Sequence, residues 1–495
     1  MIDGENSILP IVTFDAKTDW LALHQIARPH LEKAGMNRLI AALSLSVKCI
    51  AVEREYIDKD YRDTFSNFHS KRFSTPSSRC LRLHFFDREV TRIDLREACL
   101  DSKKLWSLNK HYLGYSVIRP TKPNCIGRTL LTPASRGPAS AYASLCNEKV
   151  SILGTELEIK GFPFISQDSD VTVCAESAVW MILRYFSNRY HLYPETYPFQ
   201  VVNLSKDYSL GRIIPSSGLY AWQMAEALRR IGRPPLVYTR RNFKADFDHL
   251  LYTYIESGIP VLAGLKEHVV VAFGHRSIFG NHSAGNGTIF TSAYNDALVV
   301  NDDNHVPYQL LHRAAVASAP GAQVSSYKFE DIVDFVAPLP EKVFLPAESF
   351  QTAVMMILEK SSEFSFKTLS PTLQKGRMVL RLFLTTGKSF KKYLGSRKMG
   401  NSVVEEAYRN LPLPHFMWVC EISDTDAYSR HEIYGEILWD ATRNAHEPNG
   451  WIALHYPEVL IVDMGSALNK EQNLFKFNLN DSTPYKLYEN NLQPI

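Results

Sequence analysis

Four residues stand in an order that acyl-transfer chemistry can use: Gln167, Cys174, His268 and Asp302. Apolar residues Ala178, Met181, Ile182 and Tyr185 recur at helical spacing and predict a helix over 174–186. Cys174 then lies in a first turn, where unpaired N–H groups and the positive dipole end favour the thiolate, the reactive form of cysteine. His268 opens a predicted strand, 268–273, and is read as facing a cleft while Val270 and Ala272 share its face and pack. His275, seven positions on, points to the opposite face of a continuous strand, so the two histidines cannot serve one site. Asp302 ends the next strand, where its carboxylate can accept the second ring N–H of His268 and fix the tautomer. Gln167 can join the Cys174 backbone N–H as an oxyanion donor. The roles are nucleophile, base, orienter and oxyanion helper, with Asp303 and Asn304 as further choices for the orienter. A metal reading of His268, Asp302 and His305 matches no familiar ligand spacing, and no metal or cofactor is expected.

The elements that must hold these residues are the best patterned of the chain. A strand is read at 150–159 and a turn-like approach at 161–170, before the Cys174 helix. A second helix, 219–231, stops at Gly232 before Pro234 and Pro235. A strand at 236–239, a helix at 243–256 and strands at 259–265, 268–273 and 297–301 follow. Upstream, helices are read at 20–33 and 36–49, and strands at 79–86, 112–117 and 127–133. Downstream of Pro338-Leu339-Pro340, helices are read at 347–359, 389–395 and 403–410, with strands at 378–385, 416–423, 432–442 and 451–462. Trp180 and Met181 are assigned to the core of the Cys174 helix; Tyr220 and Trp222 can line a substrate cleft, with core packing the preferred reading. This gives three units: 1–150 and 341–495, both α+β and without a catalytic constellation, around a middle domain, 151–340.

The chain has 495 residues, 45% hydrophobic and 22% charged, as in an ordinary globular protein of about three domains. A net charge of +3 gives no case for a nucleic-acid or membrane-surface binder. The seven cysteines, at 49, 80, 99, 125, 146, 174 and 420, form no CxxC and no regular spacing. A disulfide framework or zinc cluster is not expected, and a reducing compartment is. No signal-peptide core opens the chain and no apolar run reaches about 20 residues, so a cytoplasmic protein is expected.

The stretches FPFISQDSDVTVCAESAVWMILRYF, SSGLYAWQMAEALRRIG, SGIPVLAGLKEHVVVAFGH and ALVVNDDN, in this order, resemble a papain-like cysteine peptidase, and more narrowly the bacteriocin-leader-peptidase-like branch. The resemblance covers about 160–330. It implies a helix carrying Cys174 packed on an antiparallel sheet, with Cys174 as nucleophile, His268 as base, Asp302 as orienter and Gln167 as oxyanion helper. The implied function is hydrolysis of a peptide or isopeptide bond in a protein or peptide substrate through a Cys thioester. The flanking domains would then choose the substrate or receive a regulatory protein partner. Two alternatives stand beside it: an amine acyltransferase using the same Cys-His-Asp site, and a catalytically silent peptidase-like scaffold. The scaffold draws on Ala175-Glu176-Ser177, which replaces a Gly-Pro-Ala-like turn, and on the charge of Glu176 beside a thiolate.

Overall fold

The computed structural model describes residues 46–495 except 122–124, 134–140, 169, 191, 205, 207–218, 279–287, 314–323, 361–377, 445–449, 465–473 and 480–482, together with 2–3, 11–13 and 43. The helix read at 20–33 and most of that at 36–49 lie outside the described residues. Three sheets, largely antiparallel, organise an α+β chain. The first runs in sequence order through Cys49–Tyr56, Cys80–Phe86, Tyr112–Ile118 and Ile126–Leu131. Cys49 therefore begins a strand, Cys49–Tyr56, rather than ending a helix.

The middle sheet runs Pro235–Thr239, Asp334–Pro338, Val261–Gly264, Val269–Ser277, Asn295–Asn301, Gln309–His312 and Val324–Lys328. Only its last pair, 309–312 with 324–328, is parallel. The helix Cys174–Arg189 packs Val179, Met181 and Ile182 on one face of this sheet, against Val269, Val271 and Phe273. Val270 and Ala272 face the other side, against Leu251 and Ile255 of the helix Phe247–Glu256. The third sheet holds Met378–Thr386, Phe416–Asp424, Gly435–Asp440, Trp451–Tyr456, Val459–Asp463 and Leu474–Asn478.

Distant segments of the chain complete these sheets. Thr288–Phe290, from the middle of the chain, lies parallel to Met378–Thr386 in the third sheet. Gln493–Pro494 returns to pair with Ala141–Ala143, which itself pairs with 274–276 of the middle sheet. Asn491 Nδ2 donates to the carbonyls of Glu256 and Leu384, pinning this returning segment to both neighbours.

Most elements fall close to their expected ranges, and the helix Ala347–Glu359 falls on it. Two predicted strands are instead hairpins. The stretch 150–159 belongs to Cys146–Ile152 and Thr155–Gly161, joined by Leu153 and Gly154 with φ of 49° and 84°. That double left-handed turn matches the twist of the strands it joins. The stretch 451–462 likewise splits at Pro457-Glu458. Trp180 and Met181 are fully buried, as expected. Tyr220 and Trp222 are not core residues: they are 74% and 50% exposed at the start of the helix Ala221–Arg230. No helix of the described residues is long and apolar enough to cross a membrane.

Candidate active site

Cys174 is the first residue of its helix, after Val173 in extended backbone. The approach to it is fixed by Asp168, whose Oδ1 accepts the backbone N–H groups of Asp170, Val171 and Thr172. This tight turn takes up the seven-residue gap between Gln167 and Cys174. Glu176 is buried, and its carboxylate accepts the Val173 N–H at 3.3 Å. The charge thus caps the helix N-terminus, where the dipole favours it. Two turns further on, Trp180 Nε1 and Arg184 donate to Asp60 Oδ1 at 3.1 and 2.6 Å, tying the Cys174 helix to the helix Lys59–Asn67. Burial pushes the Asp60 carboxyl up to about 6, against the pull of Arg184.

His268 sits in the four-residue turn between Val261–Gly264 and Val269–Ser277, closed by the Leu265 N–H to His268 carbonyl bond of 2.8 Å. Strict alternation would place it on the face of Val270 and Ala272. Its turn position releases it from the pleat, and the ring lies with Cys174 on the side of Val269. Nε2 donates to Asp302 Oδ1 at 2.9 Å, and the Cys174 thiol beside the ring also favours its charged form. Burial opposes charge on this ring. The bonds to Asp302 and Cys174 and the charges of Asp302 and Asp303 outweigh it, and the imidazolium keeps its proton up to about 10. His275 serves elsewhere: a bulge at 272–274 resets the alternation, and His275 Nε2 bonds Glu256 at 2.5 Å.

Asp302, buried, follows the strand Asn295–Asn301 and also accepts the Asn304 N–H at 2.9 Å. The loop that carries it is held from two sides. Asn301 Nδ2 donates to the Pro163 carbonyl and Asn301 Oδ1 accepts the Tyr308 N–H. Tyr308, at φ 61°, donates its hydroxyl to the Leu131 carbonyl of the first sheet and accepts the Phe162 N–H. A bulky residue held at positive φ marks a loop whose conformation is imposed by its surroundings. The choice of orienter is therefore geometric. Asp302 holds the ring, whereas Asp303 lies 3.8 Å from Nε2 and neither of its oxygens makes a well-formed hydrogen bond. Burial and the Asp302 charge push the Asp303 carboxyl up to about 7, against the pull of His268.

Gln167 is brought to the same loop, but its side-chain amide donates to Asn304. In this arrangement it braces the Asp302–Asn304 turn. Ligand atoms of His268, Asp302 and Asp303 lie within 4.8 Å of one another, close enough to share a cation. The His268 Nε2–H donates a hydrogen bond to Asp302 in this geometry, so no lone pair of that nitrogen is free for a metal. His305 is 3.9 Å from Asp302 and on the exposed side.

Cys174 and His268 open onto a cleft of about 600 Å³, between the Cys174 helix, the start of the helix Ala221–Arg230 and the strand ends at Gly264 and Asp334. Leu219, Ala221, Met224, Leu265 and Val333 supply its apolar wall. Sequence reasoning preferred core packing over a cleft position for Tyr220, which lines the cleft, and missed Asp334 there. By spacing Tyr220 falls in line with the buried Met224, Ala227 and Leu228 and so reads as core, but it is the extended cap residue before the helix and its side chain is exposed. Asp334 carries no local signal. Compared with family models, curated proteins and solved structures, the chain matches none.

Proposed function

We propose that the chain is a papain-like cysteine hydrolase that cleaves a peptide or isopeptide bond. One observation carries the reading: a helix-start thiol shares, at the mouth of one cleft, an imidazole whose other nitrogen is held by a buried carboxylate. An imidazolium beside a cysteine is the pairing that generates a thiolate nucleophile. Cys174 Sγ attacks the scissile carbonyl carbon, forming a C–S bond and sending the carbonyl electron pair onto oxygen. The oxyanion faces the first N–H groups of the helix. His268 gives its proton to the nitrogen of the leaving amine as the C–N bond breaks, leaving a thioester. The neutral imidazole then takes a proton from water, whose oxygen attacks the thioester and releases the acid and the thiolate. Asp302 keeps the ring oriented throughout.

The capping bond of Glu176 supports this reading over a silent scaffold, because it draws that carboxylate onto the Val173 N–H rather than toward the sulfur. An amine in place of water would turn the same steps into acyl transfer. The scattered, unpaired cysteines support a reducing, cytoplasmic setting.

Neutral iodoacetamide tests the proposal, with peptide mapping of each thiol across pH. The reference is Cys99, the exposed thiol. Cys174 is expected to react at least about tenfold faster than Cys99 at pH 7, as an activated thiolate does. A Cys174 that reacts no faster than Cys99 defeats the reading, as does a Cys174→Ala chain with undiminished activity on an identified substrate.

A further inference from the structure

The far wall of the cleft holds a carboxylate that the chemistry above does not use. Asp334 opens the strand Asp334–Pro338 and pairs directly with Gly264, the last residue of the neighbouring strand. On these strands Leu262 and Val336 pack toward the Cys174 helix, so Gly264 and Asp334, two residues away on each, share that face. A Cβ on Gly264 would lie 2.1 Å from Asp334 Oδ1. The missing side chain is what lets this carboxylate lie over the end of the neighbouring strand, on the cleft wall. Asp334 is half-buried and, among the described residues, has no ion pair or hydrogen bond from its carboxylate. Burial raises its pKa, with no neighbouring cation to lower it. On the rim, exposed Lys266 and Glu267 offset each other. A half-buried carboxylate without a partner is costly, and a cationic group would relieve that cost.

We propose that Asp334, seated over Gly264, is a specificity-determining residue that binds a basic side chain, lysine or arginine, of the peptide substrate. This rests on the reading of the cleft as the substrate site of a cysteine hydrolase. The apolar wall of Leu219, Met224 and Val333 suits the aliphatic stem of such a side chain, and the carboxylate suits its charged head.

The test uses the full chain and a series of chloroacetamides bearing a primary ammonium on alkyl linkers of increasing length, each matched to an alcohol of the same length. The ratio of ammonium to alcohol labelling is read on Cys174 by peptide mapping. At one or more lengths the ratio is expected to reach about ten, the scale of one charge-assisted hydrogen bond. Asp334→Asn and Asp334→Ser should each bring it to about one, while Glu267→Gln leaves it. A ratio near one at every length, a ratio unchanged in both Asp334 variants, or equal loss in Glu267→Gln overturns the proposal. The two readings separate in this experiment. Slow labelling of Cys174 by every reagent counts against the hydrolase, whereas the ratio reports on Asp334 whatever the absolute rate.

Discussion

The strand Val269–Ser277 and the turn before it carry two histidines, seven residues apart, each bonded to a buried carboxylate. His268 donates to Asp302 and shares its other side with a thiol. His275 bonds Glu256, and Glu256 also takes Arg381 Nε at 2.7 Å. Arg381 continues to Glu421, which meets Arg397, which meets Glu436, all buried. Arg381 and His275 hold Glu256 well below the usual carboxylate range despite its burial. A His–carboxylate pair is thus no mark of chemistry by itself. What the carboxylate's partner faces decides it. A guanidinium chain bolts the middle sheet to the third sheet, whereas a thiol at a helix start, beside a cleft, leaves the imidazole with a proton to give.

This contrast can be broken experimentally. The largest effect should come from Arg381→Met, which removes the guanidinium between Glu256 and Glu421 and leaves each buried carboxylate with only part of its partners, His275 for the first and Arg397 for the second. We expect a loss of about 3–5 kcal/mol in denaturant unfolding, and an unchanged stability would show that this cluster does not join the sheets. Next, His268→Ala should slow iodoacetamide labelling of Cys174 at pH 7 by about 100-fold, the low end of what a positioned acid–base group supplies, with little change in melting temperature. His275→Gln should do the reverse, costing stability while sparing the labelling rate. Smaller again, Asp302→Asn should slow labelling by about tenfold, roughly one hydrogen bond to a charged group, and Asp303→Asn should leave it within about twofold. Equal losses in the two would make the orienter a shared pair.

The smallest effect is a slope. Asp303 and His268 both hold protons in the fold above their ordinary values. Between about pH 4 and 7 the unfolded chain loses the Asp303 proton first, and stability falls as pH rises. The His268 contribution is fully present below about 6.5 and is lost as pH rises through about 10. Each can add a slope of at most about 1.4 kcal/mol per pH unit. Urea titrations of Asp303→Asn should be flatter between pH 4 and 7 and unaltered above 8.

Much of the site was legible because it depends on local pattern. The 3.6-residue period after Cys174 sets the helix start, and the apolar run after His268 sets the strand. The choice between Asp302 and Asp303 was not legible, because both are buried and only the Asn301–Tyr308 anchoring aims one of them at the ring. The amide of Gln167 met Asn304 for the same reason: its partner is set by a loop 137 residues away. The Leu153-Gly154 and Pro457-Glu458 turns are only two residues long between strand-like stretches, so two hairpins read as single strands. The Arg381 chain did leave a trace. Arg381, Glu421 and Glu436 each interrupt an otherwise apolar strand, and a charge there must find a partner in the fold. Strand exchange left none, since pairing between distant segments is a tertiary choice.

The pairing of Gln493–Pro494 with Ala141–Ala143 bears on how the protein comes into being. During synthesis the middle sheet keeps a bare edge at 141–143 until the ribosome has released residue 494. Its partner sheet likewise waits for Thr288–Phe290 to be met by Met378–Thr386. Domains that fold one after another as they emerge would be free to act early. Here a nascent chain that already contains Cys174, His268 and Asp302 still lacks the clasp that fastens their sheet. Fastening of the middle sheet is thereby coupled to synthesis of residues 493–494, and a chain truncated before 491 should emerge as a looser, protease-sensitive species.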